Sequence, residues 1–350
     1  MTSTIPLRLN IATCRYRALI GVGGLGTGMF FRLNDNATLG REESRSGVLL
    51  DRRDYCKLHI IAHYVRALLG PEFAVIPVGK VGADDAGRIL LREMEEAGLV
   101  MKCVEQDQSS RTLFSICFTY PDGTGGNLTT SDSACSRVDP SFVVGVEPEF
   151  RAHAGKGIAL AAPEVTIDAR VKLLELATTH RFYRVASFTS EEMGTVMRDR
   201  LLRQVDLLAV NVEEAAAAAE LKADAHDSLE IVKAAVAAAT GQNPSLLLSV
   251  TRGKEGSWVW DGATLTHFPA IAVPVESTAG AGDAFTAGLI AGLTAGLTLP
   301  QAQQVATLAG AVSVTSPHTI NKDLSRDSLW KLCSVSHVAT DPKVSALLEE

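Results

Sequence analysis

The run Ser277-Thr278-Ala279-Gly280-Ala281-Gly282-Asp283-Ala284-Phe285 holds the residue types that phosphoryl transfer requires. That reaction depends on positioning and charge neutralisation more than on covalent help from the protein. Two glycines just ahead of a helix let the backbone approach a ligand and aim free N–H groups at it. The helix dipole adds partial positive charge at the same place. Asp283 could then accept the proton of a substrate hydroxyl. An Asp in a first helical turn is equally an ordinary cap, worth about 0.5–2 kcal/mol. This run alone does not separate the cap from the base.

Two further segments bear on that choice. Asn211-Val212-Glu213-Glu214 follows an apolar strand, and there an amide and a carboxylate could hold Mg²⁺ waters and phosphate oxygens. The plain alternative is an Asn cap with acids in the first helical turn. Thr251-Arg252-Gly253-Lys254-Glu255-Gly256 follows another apolar strand. It reads either as a hairpin turn or as a loop passing a nucleotide's phosphates and ribose beneath bare backbone.

These segments need a scaffold, and the apolar pattern supplies one. Ala18–Gly21, Met29–Leu33 and Gly47–Leu50 read as strands, and Tyr55–Leu69 as a helix stopped by Gly70-Pro71. Phe73–Val78 is a buried strand, Asp84–Ala97 a helix closing at Gly98, and Thr112–Tyr120 a strand running into the turn Pro121-Asp122-Gly123. Short apolar runs at Gly157–Ala161, Phe182–Ala186, Asp206–Val210 and Ser245–Val250 alternate with helical stretches Ile167–Thr179, Glu191–Val205 and Ser228–Ala239. An extended segment, Ala270–Val275, precedes a long helix beginning near Asp283. Such alternation gives a mostly parallel sheet covered on both faces, with ligands beyond the carboxyl ends of its strands.

Composition narrows the function classes. The chain has 350 residues, a net charge of -7 and 46% hydrophobic residues, enough for a large core without disulfides. It lacks the basic footprint of a nucleic-acid binder. No run of 18 apolar residues and no secretory h-region occurs, so neither a membrane span nor export is expected. Six scattered cysteines (Cys14, Cys56, Cys103, Cys117, Cys135 and Cys333) form no C-x-x-C pair and read as reduced thiols of a cytoplasmic protein. Gly21-x-Gly23-x-x-Gly26 imitates a dinucleotide fingerprint, but Met29–Leu33 is too short for the helix that motif needs. His59 and His63 have zinc-helix spacing, but Ile60 stands where the motif needs Glu. His318 could touch adenine, although an ordinary loop histidine is the simpler reading.

Taken together, the three segments resemble the ribokinase-like (PfkB) carbohydrate kinases. The resemblance rests on Gly280-Ala281-Gly282-Asp283 with Ala284-Phe285, on Asn211-x-x-Glu214, and on Thr251-x-Gly253-x-x-Gly256. A fourth match is Val78-Gly79-x-Val81-Gly82-x-Asp84-x-x-Gly87. The resemblance implies one kinase domain over 1–350: an αβα sandwich on a mostly parallel sheet, with a small β-sheet lid from about 25–53 and 112–130. It implies ATP and Mg²⁺ as cofactors and a sugar or sugar-like alcohol as acceptor. Asp283 becomes the catalytic base, and Gly280, Ala281 and Gly282 the anion hole. Asn211 and Glu214 would serve the Mg²⁺–phosphate network through water, and Thr251, Gly253 and Gly256 the nucleotide. Lid strands in this family often pair between subunits, which implies a homodimer.

The chain departs from the family at several positions. Ser277 stands where the family usually has an Asp that helps hold a monovalent cation. Gly28 falls where a sugar-binding Asp is usual, and Tyr55-Cys56-Lys57-Leu58-His59 replaces a Gly-Gly pair. Lys57 and His59, helped by Arg52 and Arg53, could meet an anionic group already on the substrate, or could simply be solvated residues at a helix start. Alternatives within the fold are a nucleoside kinase, with Phe30, Phe31 and Phe114 as a base clamp, a phosphosugar kinase, and a non-catalytic ligand-binding relative.

Overall fold

In the computed structural model, residues 5–38, 40–122 and 125–349 are described. The N-terminal part runs through β1 (Ala18–Val22), β2 (Gly26–Leu33), β3 (Gly47–Tyr55), α1 (Lys57–Leu69), β4 (Ala74–Gly82), α2 (Asp85–Glu96), β5 (Val104–Asp107), β6 (Leu113–Thr119) and β7 (Gly125–Thr129). Next come α3 (Pro140–Val144), α4 (Glu147–Ala152), β8 (Gly157–Ala161), α5 (Ile167–Thr179), β9 (Tyr183–Ala186) and α6 (Ser190–Arg198). The chain continues through β10 (Leu207–Asn211), α7 (Val212–Ala218), α8 (Ser228–Gln242), β11 (Leu247–Thr251), β12 (Ser257–Trp260) and β13 (Leu265–Phe268). It closes with α9 (Ala281–Thr294), α10 (Leu299–Ser313), α11 (Arg326–Ser336) and α12 (Pro342–Leu348).

Nine strands form the main sheet in the order β13-β12-β11-β10-β9-β8-β1-β4-β5. All are parallel except β12 and β13, which fold back as an antiparallel edge. Every residue of β1 is buried, as expected for a strand covered on both faces. Side chains alternate along it. Leu19, with Leu160 and Ala209, packs towards α1, α9 and α10, while Ile20, with Ala159 and Val210, packs towards α5, α7 and α8. Each fully buried Leu or Ile contributes about 1.5–3 kcal/mol, so two continuous cores clamp the sheet between helix layers.

A second sheet, in the order β3-β2-β6-β7, stands apart from the first. Its β2–β6 pair is parallel and the other two pairs are antiparallel. Three residues link β1 to β2, and Cys56 alone separates β3 from α1, so both tethers lie at the carboxyl end of β1.

Most expected elements are found within two residues of their expected limits. Tyr55 ends β3 rather than opening α1, and Gly70 closes α1 through its N–H to the Arg66 carbonyl. The expected helix 191–205 breaks after Arg198, because Arg200 takes a left-handed φ of 56° and a 3₁₀ turn follows. Ala270–Val275 joins no strand. Gly123 of the expected turn lies outside the described residues. No helix among them is long and apolar enough to cross a membrane.

Candidate functional site

The carboxyl ends of β10 and β11 converge with the N-termini of α1 and α9 around one cleft. Lys57, Asn211, Glu214, Thr251, Gly282 and Asp283 all line it. The sheet topology explains the convergence, since parallel strands present the residues that follow them on one edge.

Helix α9 begins from Gly280, whose φ of 80° is left-handed. A side chain there would press on the Thr319 carbonyl oxygen at 2.5 Å, so both backbone shape and contact require glycine. Asp283 is the third helical residue, in the first turn of α9, and its carboxylate forms no capping box with Gly280. Ala281 N–H donates to the Thr278 carbonyl at 3.2 Å. Ala284 N–H bonds back to Gly280, so the N–H groups of Gly282 and Asp283 open this helix without an intrahelical acceptor.

Burial raises the Asp283 carboxyl to about 6, with the Lys57 ammonium opposing and the Asp54 carboxylate reinforcing the shift. Lys57 in turn is held charged, chiefly by Asp283, then by Glu214 and Glu164. One ammonium is therefore influenced by three carboxylates, none of them an ion-pair partner among the described residues.

Asn211 and Glu214 form a reciprocal cap. The Asn211 side-chain oxygen accepts from Glu214 N–H at 2.8 Å, and Glu214 Oε2 accepts from Asn211 N–H at 2.9 Å. The ordinary capping arrangement is thus present, and both residues line the cleft as well. Burial raises the Glu214 carboxyl. Among the described residues no cluster of three or more metal-ligating groups occurs. The pair therefore suits a hydrated Mg²⁺ that arrives with phosphate oxygens, the mode in which this ion keeps several of its waters.

Thr251 ends β11, and Gly253–Glu255 forms a 3₁₀ turn that reverses the chain into antiparallel β12. The hairpin reading of this segment is correct as geometry. Gly256 (φ 91°) is obliged by the close approach of the Phe268 carbonyl, whereas Gly253 faces open space.

The family scan matches the "pfkB family carbohydrate kinase" description over residues 63–326. The chain belongs to this family. It is 26% identical to a ribokinase of Lactococcus lactis subsp. lactis (strain IL1403) over 260 residues, covering 71% of this chain and 82% of that protein. It is 45% identical to a fructoselysine 6-kinase of Shigella flexneri over 65 residues, 19% of this chain and 25% of the other. The chain thus matches the fructoselysine kinases over about a quarter of their length. A ribokinase from Cryptococcus neoformans var. grubii serotype A, solved in complex with ADP, superposes with a TM-score of 0.72 at 19% identity, covering 91% of this chain and 99% of that one.

On this family scaffold, the surroundings of Lys57 differ from expectation. His59 does not reach the cleft: it is 1% exposed, packed edge-on against Tyr55 with ring centroids 4.6 Å apart. Burial lowers its pKa to about 3, so it carries no charge to offer an anion. Arg53 is ion-paired with Glu93 on the outside. The charge of Lys57 is already offset by Asp283, Glu214 and Glu164. The anion-binding cluster expected from Lys57, His59 and Arg53 is therefore not assembled, which corrects that reading.

Two carboxylates with no motif around them lie behind the cleft lining, within electrostatic reach of Lys57 and Asp283. Glu164, three residues past β8, accepts the Lys57 backbone N–H at 3.1 Å, and burial raises its carboxyl to about 7. Gly24 leaves the room that this carboxylate occupies, which accounts for part of the fingerprint-like glycine run. Asp54 on β3 is 7% exposed and lies across from Gly28, where an added Cβ would stand 2.5 Å from Asp54 Oδ2. That oxygen accepts from Ser115 Oγ at 2.7 Å, and burial raises the carboxyl. The available signal was the position of Glu164 just beyond an apolar strand end.

His318 Nδ1 accepts the Arg53 backbone N–H at 3.0 Å, which makes it a residue that ties loop to strand. Phe30 is buried on the Gly28 side of the small sheet, while Phe31 and Phe114 alternate onto the opposite face with exposed Met29 and Ile116. The three do not form one clamp.

Proposed function

We propose that this chain transfers the γ-phosphoryl group of Mg·ATP to a hydroxyl of a sugar or sugar-like polyol. The observation carrying this reading is Asp283 itself: an uncapped carboxylate, raised to about 6, beside free helix N–H groups and facing Lys57. A base needs a proton affinity near its working pH, and an anion hole needs donors that are already oriented.

The acceptor hydroxyl lies against Asp283, which takes its proton as the oxygen attacks the γ-phosphorus in line; the bond from the γ-phosphorus to the bridging oxygen breaks, and ADP leaves with that oxygen. The N–H groups of Gly282 and Asp283, at the positive end of α9, receive the charge spread over the transferring oxygens. Gly280 shapes that turn, and Ala281 stabilises it through Thr278. Asn211 and Glu214 would hold the waters of a Mg²⁺, which would supply positive charge against the phosphates. Thr251 and Gly253 lie along the nucleotide, Gly256 supporting the turn between them and β12. The small sheet serves as a lid that excludes water.

Asp54, Glu164 and Lys57 form the acceptor end, and its excess of carboxylates favours hydroxyl donors over a group already phosphorylated. ADP release with Mg·ATP, across sugars, polyols, nucleosides and sugar phosphates, tests this. Stimulation by a neutral polyol is expected, and stimulation by sugar phosphates alone would contradict it.

Ser277 Oγ accepts from Ala279 N–H at 3.3 Å, and its backbone N–H goes to the Val314 carbonyl. A hydroxyl turned inward and uncharged is a weak cation ligand. Turnover is expected to be the same in potassium as in choline buffer, read as steady-state ADP formation.

The lid's outer face carries Met29, Leu49, Ile116 and Leu128, which are 44%, 57%, 36% and 63% exposed. An apolar sheet face of this kind suits burial against a second copy of itself. Leu49→Lys with Leu128→Lys is expected to turn a dimer into a monomer in sedimentation velocity, with the thermal midpoint of the monomer retained.

A further inference from the structure

The acceptor-binding segment 54–57 and the phosphate-binding turn 280–283 are separated by more than 200 positions in the chain, yet one residue touches both. Thr319 is 2% exposed, in the loop that follows α10. Its hydroxyl accepts the Tyr55 backbone N–H at 3.1 Å, and its own N–H donates to the Arg53 carbonyl at 3.2 Å. The hydroxyl also donates to the Arg53 carbonyl at 3.3 Å, and His318 adds a fourth bond to the same strand through the Arg53 N–H. The Thr319 carbonyl faces Gly280 and also accepts from Tyr64 Oη of α1 at 3.2 Å. Tyr64 Oη in turn accepts the Asn321 N–H at 2.6 Å, and the Asn321 side chain donates to the Val312 carbonyl at 2.8 Å. The loop is thus fastened to the lid strand β3, to α1 and to α10, with the Gly280 turn resting on it.

We infer that Thr319 is a positioning residue that sets the lid strand's acceptor-binding end in register with the anion hole at Gly280–Asp283. This rests on the functional reading above and adds to it a path between the two halves of the site. Any displacement of β3 pulls on the Arg53 and Tyr55 bonds. The loop passes that displacement to the Thr319 carbonyl, against which Gly280 packs with no room for a side chain between them. Ordering of the turn by a nucleotide should therefore order residues 52–58, although no nucleotide atom need touch them.

Hydrogen exchange on the full chain, with and without the magnesium complex of the non-hydrolysable analogue AMPPNP, tests this apart from catalysis. In the wild type, the analogue is expected to protect both 276–284 and 52–58. Thr319→Val keeps the shape and removes the hydroxyl, so protection should persist at 276–284 and be lost at 52–58. Thr319→Ser should restore it. With the acceptor that the wild type phosphorylates best, Thr319→Val should lower kcat by about tenfold, the scale expected from a small misplacement of reacting groups, while the KM for ATP stays the same. Three results would overturn the inference: no nucleotide-dependent protection at 52–58 in the wild type, unchanged protection there in Thr319→Val, or Thr319→Ser as defective as Thr319→Val with a lowered melting temperature in both. If the wild type phosphorylates no acceptor, the functional reading fails, while the exchange experiment still judges the coupling.

Discussion

Asp283→Asn is expected to lower kcat by about 10³-fold, within the range for loss of a general base, while leaving the KM for ATP nearly unchanged. Asparagine fills the same space and can still hydrogen-bond to an acceptor hydroxyl, but it cannot take the proton. Asn211, Glu214 and Thr251, to which the nucleotide contacts are assigned, lie on β10, α7 and β11 rather than on α9 and remain intact. The melting temperature should be unchanged or higher, because the carboxyl is raised by burial and so contributes no favourable charge burial to the fold at neutral pH. Steady-state ADP formation and a thermal melt on the same preparation check both halves. A variant that loses ATP binding, or that turns over at the wild-type rate, would remove Asp283 from the role of base.

Lys57→Met should give the second-largest effect, and its sign follows from the charges around it. The ammonium lowers the Asp283 pKa against a larger upward push from burial, leaving it at about 6. The base works when deprotonated, so the wild-type rate should fall as pH drops below about 6. Without the ammonium the Asp283 carboxyl rises further, by about 1–3 units for loss of a close opposite charge. The acid limb of kcat/KM then moves up through neutrality. At pH 7 the variant should be slower by about 2- to 100-fold across that range, with much of the rate recovered at pH 9. A pH–rate profile from pH 5 to 9 reads this directly. An acid limb in the same place as in the wild type would mean that Lys57 does not govern Asp283.

What the sequence revealed depends on whether a residue's role was local. Gly280–Asp283 was legible because a glycine turn, a helix start and an acid lie within four positions. The choice between cap and base was not legible there; only the structure shows that α9 has no capping box, which favours the base proposed above. At Asn211–Glu214 the cap and the cleft position turned out to be the same arrangement.

Asp54 and Glu164 were not legible. Glu164 enters the site through a hydrogen bond to a residue 107 positions away, and Asp54 through strand pairing opposite Gly28. Neither relation leaves a mark at the residue itself. The sequence also could not orient α1. Residues two apart on a helix point to opposite sides, so once Lys57 faces the cleft His59 must face the core. The outline of the fold was readable because buried parallel strands are continuous apolar runs. The break after Arg198 was not, since it depends on one residue in a left-handed conformation.

The most direct test of the account is transfer of label from γ-labelled ATP to an acceptor in the presence of Mg²⁺. The wild type is expected to label one neutral polyol or sugar, with one phosphoryl group transferred per ADP formed, and Asp283→Asn is expected to bind ATP without labelling it. Label released only as inorganic phosphate, or equal transfer by the Asp283→Asn variant, would contradict the account.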